Sequence, residues 1–205
     1  MPLDSQIQEV MALVAAQGFP PTHTVSPEQA RANGQARPRA KGPEVSGVVD
    51  RTIPGPKSEL PVRIYTPVGT GPFPALVWFH GGGWVVGDLD SADATARFLT
   101  VASKCVVVSV DYRLAPETKF PGPAEDCYAA TEWVAHNAAS INANPHKLAV
   151  GGDSAGGNLA AAVCLMSRDR SGPTVGFQLL VYPVTDRNFE TVSYRDNAEG
   201  YMLLT

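Results

Sequence analysis

The sequence predicts an α/β protein built on a mostly parallel sheet with helices on both faces. Three observations carry that prediction. Four short runs, 74–80, 104–110, 147–151 and 176–182, are almost entirely apolar. Continuous apolar runs of that length suit strands covered on both faces, as in a parallel sheet. Segments with a helical period separate the last three, so strand and helix alternate as right-handed crossovers require. The composition, 44% hydrophobic and 18% charged over 205 residues, is ordinary for a globular chain and excludes a coiled coil or a disordered tail.

Taken in order, the elements begin with an amphipathic helix, because Ile7, Val10, Met11 and Val14 fall at i, i+3, i+4 and i+7. Phe19-Pro20-Pro21 ends it. Ser26-Pro27-Glu28-Gln29 starts a second helix, with Ser26 as N-cap, Pro27 in the first turn and Gln29 closing a capping box. Residues 1–45 are therefore expected to be a helical segment apart from the core at 46–183. Two β-like runs, 48–53 and 62–65, flank Pro54-Gly55-Pro56 as a hairpin. Ala124, Cys127, Tyr128, Thr131, Val134, Ala135 and Ala138 mark one helix face; Ala155, Leu159, Ala162, Val163 and Met166 mark another. The more polar 184–205 reads as a loop and the start of a further helical element.

Lys plus Arg number 16 and Asp plus Glu 20, a net charge of −4. Without a basic run there is no counterion-release footprint, and no nucleic-acid partner is expected. Cys105, Cys127 and Cys164 are widely spaced and form no C-x-x-C pair. They read as buried small hydrophobes, so neither a disulfide framework nor a metal site is expected, and no cofactor. The first 16 residues lack a basic start and an apolar run. No stretch approaches the roughly 20 apolar residues of a membrane span. A cytoplasmic protein is the expectation.

Two motifs carry chemistry. Gly152-Asp153-Ser154-Ala155-Gly156 is a G-x-S-x-G between a strand and a helix. A turn that tight brings strand and helix so close that a side chain at Gly152 or Gly156 would collide. It presents the Ser154 hydroxyl at the carboxyl end of the sheet and predicts a positive or bridging φ there. Asp153 is expected to stabilise the turn. The rival reading is a serine capping its helix. His80-Gly81-Gly82-Gly83-Trp84 follows the strand at 74–79. Successive glycines free backbone N–H groups to converge on an oxyanion. Neither G-x-x-x-x-G-K-[ST] nor G-x-G-x-x-G occurs, which argues against a phosphate loop. His80 reads either as a catalytic base or as a structural residue; because it precedes the glycines at a strand end, the expectation is that it pins the loop through a ring hydrogen bond.

With HGGGW (80–84), DYRLAPE (111–117), FPGPAEDC (120–127), GDSAGGNLA (152–160) and YPVTD (182–186), the chain from about 48 to 205 resembles the hormone-sensitive-lipase-like (bacterial family IV) carboxylesterases of the α/β-hydrolase superfamily. The resemblance implies an α/β-hydrolase core. It implies Ser154 as nucleophile, with the N–H groups of Gly82, Gly83 and Ala155 as oxyanion hole. Residues 1–45 and 184–205 would contribute to a helical cap. The partner would be a small-molecule ester of short to medium acyl chain, and the complete protein could be a homodimer. In that superfamily the triad runs Ser, then Asp or Glu, then His. His23, His80, His136 and His146 all precede Ser154. The expectation is an N-terminal portion of a longer protein, inactive alone, with 176–182 left as an edge strand. Two alternatives stand beside the esterase: a small-molecule-binding relative without the catalytic histidine, and an inert fragment. Asp111, Arg113 and Glu117 form either a polar support network or a solvated loop. Trp84 and Tyr112 are either pocket-lining or core aromatics.

Overall fold

The computed structural model describes residues 3–199. In chain order its elements are α1 (Ser5–Ala16), α2 (Pro27–Ala36), β1 (Gly47–Pro54), β2 (Glu59–Thr66), β3 (Phe73–Phe79), α3 (Leu89–Ser103), β4 (Val106–Val110), α4 (Gly122–Asn137), β5 (Ala143–Asp153), α5 (Ala155–Asp169), β6 (Phe177–Val181) and α6 (Val192–Asp196). The chain divides into two compact units. One holds the residues up to 33 and those from 185 onward; the other is Gly34–Val184 and contains the whole sheet.

In the first unit, α1 starts at Asp4, whose carboxylate accepts from the Gln6 N–H at 2.9 Å. Its apolar stripe leaves Ile7, Val10 and Leu13 exposed. α2 starts at Ser26, whose hydroxyl accepts from the Gln29 N–H at 3.2 Å. The capping box is only half made, because the Gln29 amide turns forward to Asn33 Oδ1 at 2.8 Å rather than back to Ser26. A side chain one helical turn on is as reachable as the N-cap backbone, and here it wins. Residues 200–205 of the expected second cap segment lie outside the described residues.

In the second unit the sheet order is β1-β2-β4-β3-β5-β6. β1 and β2 form the expected hairpin, closing at Pro54 opposite Glu59. β2 and β4 are antiparallel, while β4, β3, β5 and β6 run parallel. The continuous apolar runs have the predicted cause. Val77, Phe79, Val106, Val108, Val110 and Val150 pack on one face with Ala124 and Cys127 of α4 and Leu159 and Val163 of α5. Leu76, Trp78 and Val107 pack on the other with Ala92 and Ala96 of α3. Among the described residues β6 pairs only with β5, and Phe177 at its start is 63% exposed.

Two features depart from the sequence reading. α3 is a full helix the apolar pattern did not reveal. Its buried residues are Ala92, Ala96 and Thr100, small side chains under the sheet, while Phe98 and Val101 face outward. Its local signal was the start: Asp88 accepts from the Ser91 N–H at 2.6 Å and Ser91 Oγ accepts from the Asp88 N–H at 2.9 Å. Residues 34–45, expected with the N-terminal helices, go with the sheet. Arg39 lies 3.4 Å from both Asp88 and Asp90, and Val45 packs against the α3-side core.

Candidate active site

Ser154 stands between the last residue of β5 and the first of α5, with φ 53° and ψ −116°. A non-glycine residue holds such a conformation only where its surroundings impose it. Here the Ser154 N–H donates to Val181 O at 2.9 Å, and its carbonyl accepts from the Asn158 and Val184 N–H groups at 3.1 and 3.2 Å. The side chain makes no capping hydrogen bond, so the helix-cap reading falls. Gly156 is required by contact: a Cβ there would overlap the Phe79 carbonyl and come within 2.7 Å of the His80 carbonyl oxygen. Gly152 faces the same squeeze, with the Phe79 oxygen 2.5 Å from where its Cβ would stand.

The glycine loop leaves β3 at His80 and is anchored at almost every peptide. Gly81 N–H donates to Asp153 Oδ1 at 3.0 Å, which ties the loop to the serine turn. Gly81 O lies 2.7 Å from His80 Nδ1, the expected ring hydrogen bond. Gly82 O accepts from the Val85 and Val86 N–H groups at 3.1 and 3.0 Å. Trp84 O accepts from Ala115 N–H at 2.8 Å. Gly82, Gly83 and Trp84 have φ of 125°, 60° and 60°, a run of left-handed residues that suits glycine at its first two positions. Among the described residues the N–H groups of Gly82, Gly83 and Ala155 have no hydrogen-bond partner.

The two aromatic candidates part company. Trp84 is half-buried and lines a cavity of about 410 Å³. That cavity runs from Gly83 past Phe120 and Pro123 to Asn158, Leu159 and Ala162 on the first turns of α5. Tyr112 does not line it. It is 1% exposed and lies behind the loop, its ring stacked on the His80 imidazole at 4.4 Å and its hydroxyl donating to His80 O at 2.7 Å. Core packing is the reading that holds, since a phenol with a carbonyl partner can be buried without loss. Burial pushes the Tyr112 hydroxyl pKa up and the His80 imidazole pKa down, and it raises the Asp111 carboxyl as well.

In the loop after β4, Arg113 ties the loop to α4. Its guanidinium grips Asp126 of α4 at 2.6 and 2.8 Å, and its own N–H donates to the same carboxylate at 3.0 Å. Asp126 is 1% exposed and was not singled out from the sequence, although it sits within the FPGPAEDC motif. This clamp holds the loop whose Ala115 N–H meets Trp84. Asp126→Ala is expected to cost about 3 kcal/mol in chemical denaturation, the lower end for a broken buried pair because the partly exposed Arg113 can turn to water. A loss within experimental error would assign the pair no structural weight.

A family model described as alpha/beta hydrolase fold matches residues 76–205. The chain is 48% identical to the carboxylic ester hydrolase LipN of Mycobacterium tuberculosis over 169 residues, covering 79% of this chain and 45% of that protein. It is 45% identical to the carboxylesterase NlhH of the same species over 147 residues, covering 71% of this chain and 46% of that one. The chain thus spans about half the length of these relatives. Among solved structures, the ester-hydrolase EH1AB1 from the metagenome of Lake Arreo superposes with a TM-score of 0.90 at 40% identity, over 99% of this chain and 67% of that one. The esterase of the archaeon Pyrobaculum calidifontis gives 0.87 at 39% identity, over 100% and 67%. With its sheet order, its strand–serine–helix turn and a family match over residues 76–205, the chain belongs to the alpha/beta hydrolase fold family.

Proposed function

We propose that this chain carries the nucleophile and the oxyanion hole of a serine carboxylesterase of the hormone-sensitive-lipase-like group, acting on uncharged esters of short to medium acyl chain. The observation that carries the reading is the Ser154 turn facing a loop with unengaged donors. Ser154 holds φ 53° with its side chain uncommitted to the helix, and the N–H groups of Gly82, Gly83 and Ala155 lack partners among the described residues. The names of the relatives LipN and NlhH, both ester hydrolases, support it further.

The reaction follows from the parts. Ser154 Oγ attacks the ester carbonyl carbon while a base takes its proton. The carbonyl oxygen becomes an oxyanion, held by the three N–H groups and favoured by the amino end of α5. Each donor is aimed in advance. In a trans peptide the N–H points opposite the preceding C=O. Gly81, Gly82 and Ser154 all have engaged carbonyls, which fixes the directions of the Gly82, Gly83 and Ala155 N–H groups. Collapse expels the alcohol, which takes up the proton, and leaves an acyl-enzyme that water then hydrolyses. The 410 Å³ cavity beside Trp84 would receive one arm of the ester. No described histidine is hydrogen-bonded to Ser154, so we assign the base, and the acid that orients it, to sequence beyond these residues. The helices before 34 and the residues after 184 would serve as cap. The three free cysteines fit a reducing compartment.

The test uses the product of the complete gene. Ser154→Ala is expected to lower turnover of p-nitrophenyl butyrate by at least about 10⁴-fold, as loss of a catalytic-triad nucleophile does. A fluorophosphonate should label the peptide containing Ser154 and leave the alanine variant unlabelled. Retained turnover, or a label on another residue, rules the assignment out. A folded protein that binds esters without hydrolysing them would favour the binding relative.

A further inference from the structure

We propose that Tyr112, buried behind the glycine loop and touching no substrate, is a positioning residue that sets the aim of the Gly82 N–H through His80. The inference rests on the serine-esterase reading above. It starts from the rule that the Gly82 N–H points opposite the Gly81 carbonyl. That carbonyl lies 2.7 Å from His80 Nδ1. A carbonyl only accepts, so Nδ1 carries the proton and the ring is the Nδ1–H tautomer. Nε2 is buried and has no hydrogen-bond partner among the described residues. Nothing at the far end of the ring therefore helps to orient it.

What orients the imidazole is the Tyr112 side chain, whose ring covers one face and whose hydroxyl lies 3.4 Å from Nδ1, together with the crowding at Gly87 and its own main chain. Tyr112 covers one face, with ring centroids 4.4 Å apart and planes within 14°. Gly87 crowds Nδ1 and Cε1 of the ring so closely that a Cβ there would overlap them, which leaves the imidazole little room to turn. The Tyr112 hydroxyl donates to His80 O at 2.7 Å, holding the backbone from which the ring hangs. The sequence of holds is Tyr112 O–H to His80 C=O, His80 Nδ1–H to Gly81 C=O, and hence Gly82 N–H toward the oxyanion. The other two donors are set by backbone bonds and do not pass through Tyr112.

Losing one oxyanion donor outright costs about 10²–10³ in kcat. Loosening one should cost less, so Tyr112→Phe, which keeps the ring and the stack, is expected to lower kcat for p-nitrophenyl butyrate about tenfold with KM within about twofold. A trifluoromethyl ketone, which forms a tetrahedral adduct on the serine, should lose affinity by the same factor as kcat/KM. Tyr128→Phe removes a phenol from a tyrosine only 5% exposed on α4, away from the loop, and should leave kcat unchanged. Placing 4-aminophenylalanine at 112 restores an N–H donor to the His80 carbonyl and should return kcat to within about threefold of wild type.

All variants are made in the complete protein beside Ser154→Ala. If Ser154→Ala abolishes turnover while Tyr112→Phe leaves kcat unchanged, the positioning role is overturned and the serine assignment stands. If Ser154→Ala retains turnover, both fall. A tenfold loss that appears in KM rather than kcat, or that Tyr128→Phe shares, also overturns it. Should Tyr112→Phe fail to fold, the 4-aminophenylalanine protein decides: folded with kcat near wild type it upholds the role, and folded with kcat ten times lower it refutes it.

Discussion

Gly156→Ala is expected to abolish the folded state of the α/β core, with the protein recovered as aggregate or with no cooperative thermal transition. Ordinary overpacking costs about 1–3 kcal/mol because side chains can rotate away. At Gly156 the obstacles are main-chain atoms. The new methyl would meet the Phe79 carbonyl carbon at 2.6 Å, overlap its oxygen and approach the His80 oxygen. Phe79 ends the central strand β3, which pairs with β4 on one side and β5 on the other, so it cannot retreat without opening two ladders. Moving α5 instead would pull Leu159 and Val163 out of the core and strip Ser154 of the bond between its carbonyl and Asn158. Gly83→Ala makes a useful contrast, since nothing lies within 4 Å of its Cβ position and only the φ of 60° opposes it, at about 1 kcal/mol. A Gly156→Ala protein melting within a few degrees of wild type would mean that strand and helix are not in the contact described.

The contrast explains what the sequence made legible. G-x-S-x-G could be read because the tight turn from strand to helix is written in five consecutive residues, although the contact that requires Gly156 comes from Phe79 and His80 at the end of β3. The strands of the parallel sheet could be read because both faces are covered, which leaves runs such as 74–80 and 104–110 with no polar alternation. α3 could not be, since its buried stripe is alanine and threonine against a sheet that comes close; small residues carry no periodic hydrophobic signal. The place of residues 34–45 was hidden for a different reason. Its contacts are with α3, through Gly42 against Ala94 and Arg97, Val45 on the core and Arg39 beside Asp88 and Asp90, partners about fifty residues away that only the fold brings near. Tyr112 and Asp126 share that limit. Both lie in motifs the sequence displayed, but which way each side chain turns, toward the cavity or into the core, depends on His80 and Arg113 arriving from other elements.

A polypeptide of these 205 residues alone is expected to hydrolyse p-nitrophenyl butyrate no faster than its own Ser154→Ala variant. Ser154 needs a base within hydrogen-bond reach, and the histidines of Gly34–Val184 are each ill-placed. His80 is 4% exposed, its Nδ1 is engaged by Gly81 O, and burial lowers its pKa, disfavouring the imidazolium that a base must become. His146 lies on the same strand before Leu148, where β5 bulges against β3; the six residues from Leu148 to Ser154 alone span about 20 Å at about 3.3 Å per residue, so His146 sits toward the amino end of the sheet. His136 is in the last turn of α4, just before the chain enters β5 from that same end. His23 belongs to the other unit, in a three-residue turn. The oxyanion donors survive in such a polypeptide. Donors and binding without a triad still give about 10³–10⁴-fold over water in a serine protease, but that remnant needs a complete pocket and owes nothing to Ser154 itself. Equal rates for the two polypeptides are therefore the expected result, measured against the complete protein, in which the same substitution should remove almost all turnover. Rapid Ser154-dependent hydrolysis by the 205-residue chain would place the base among its four histidines, and replacing each with alanine would identify which one.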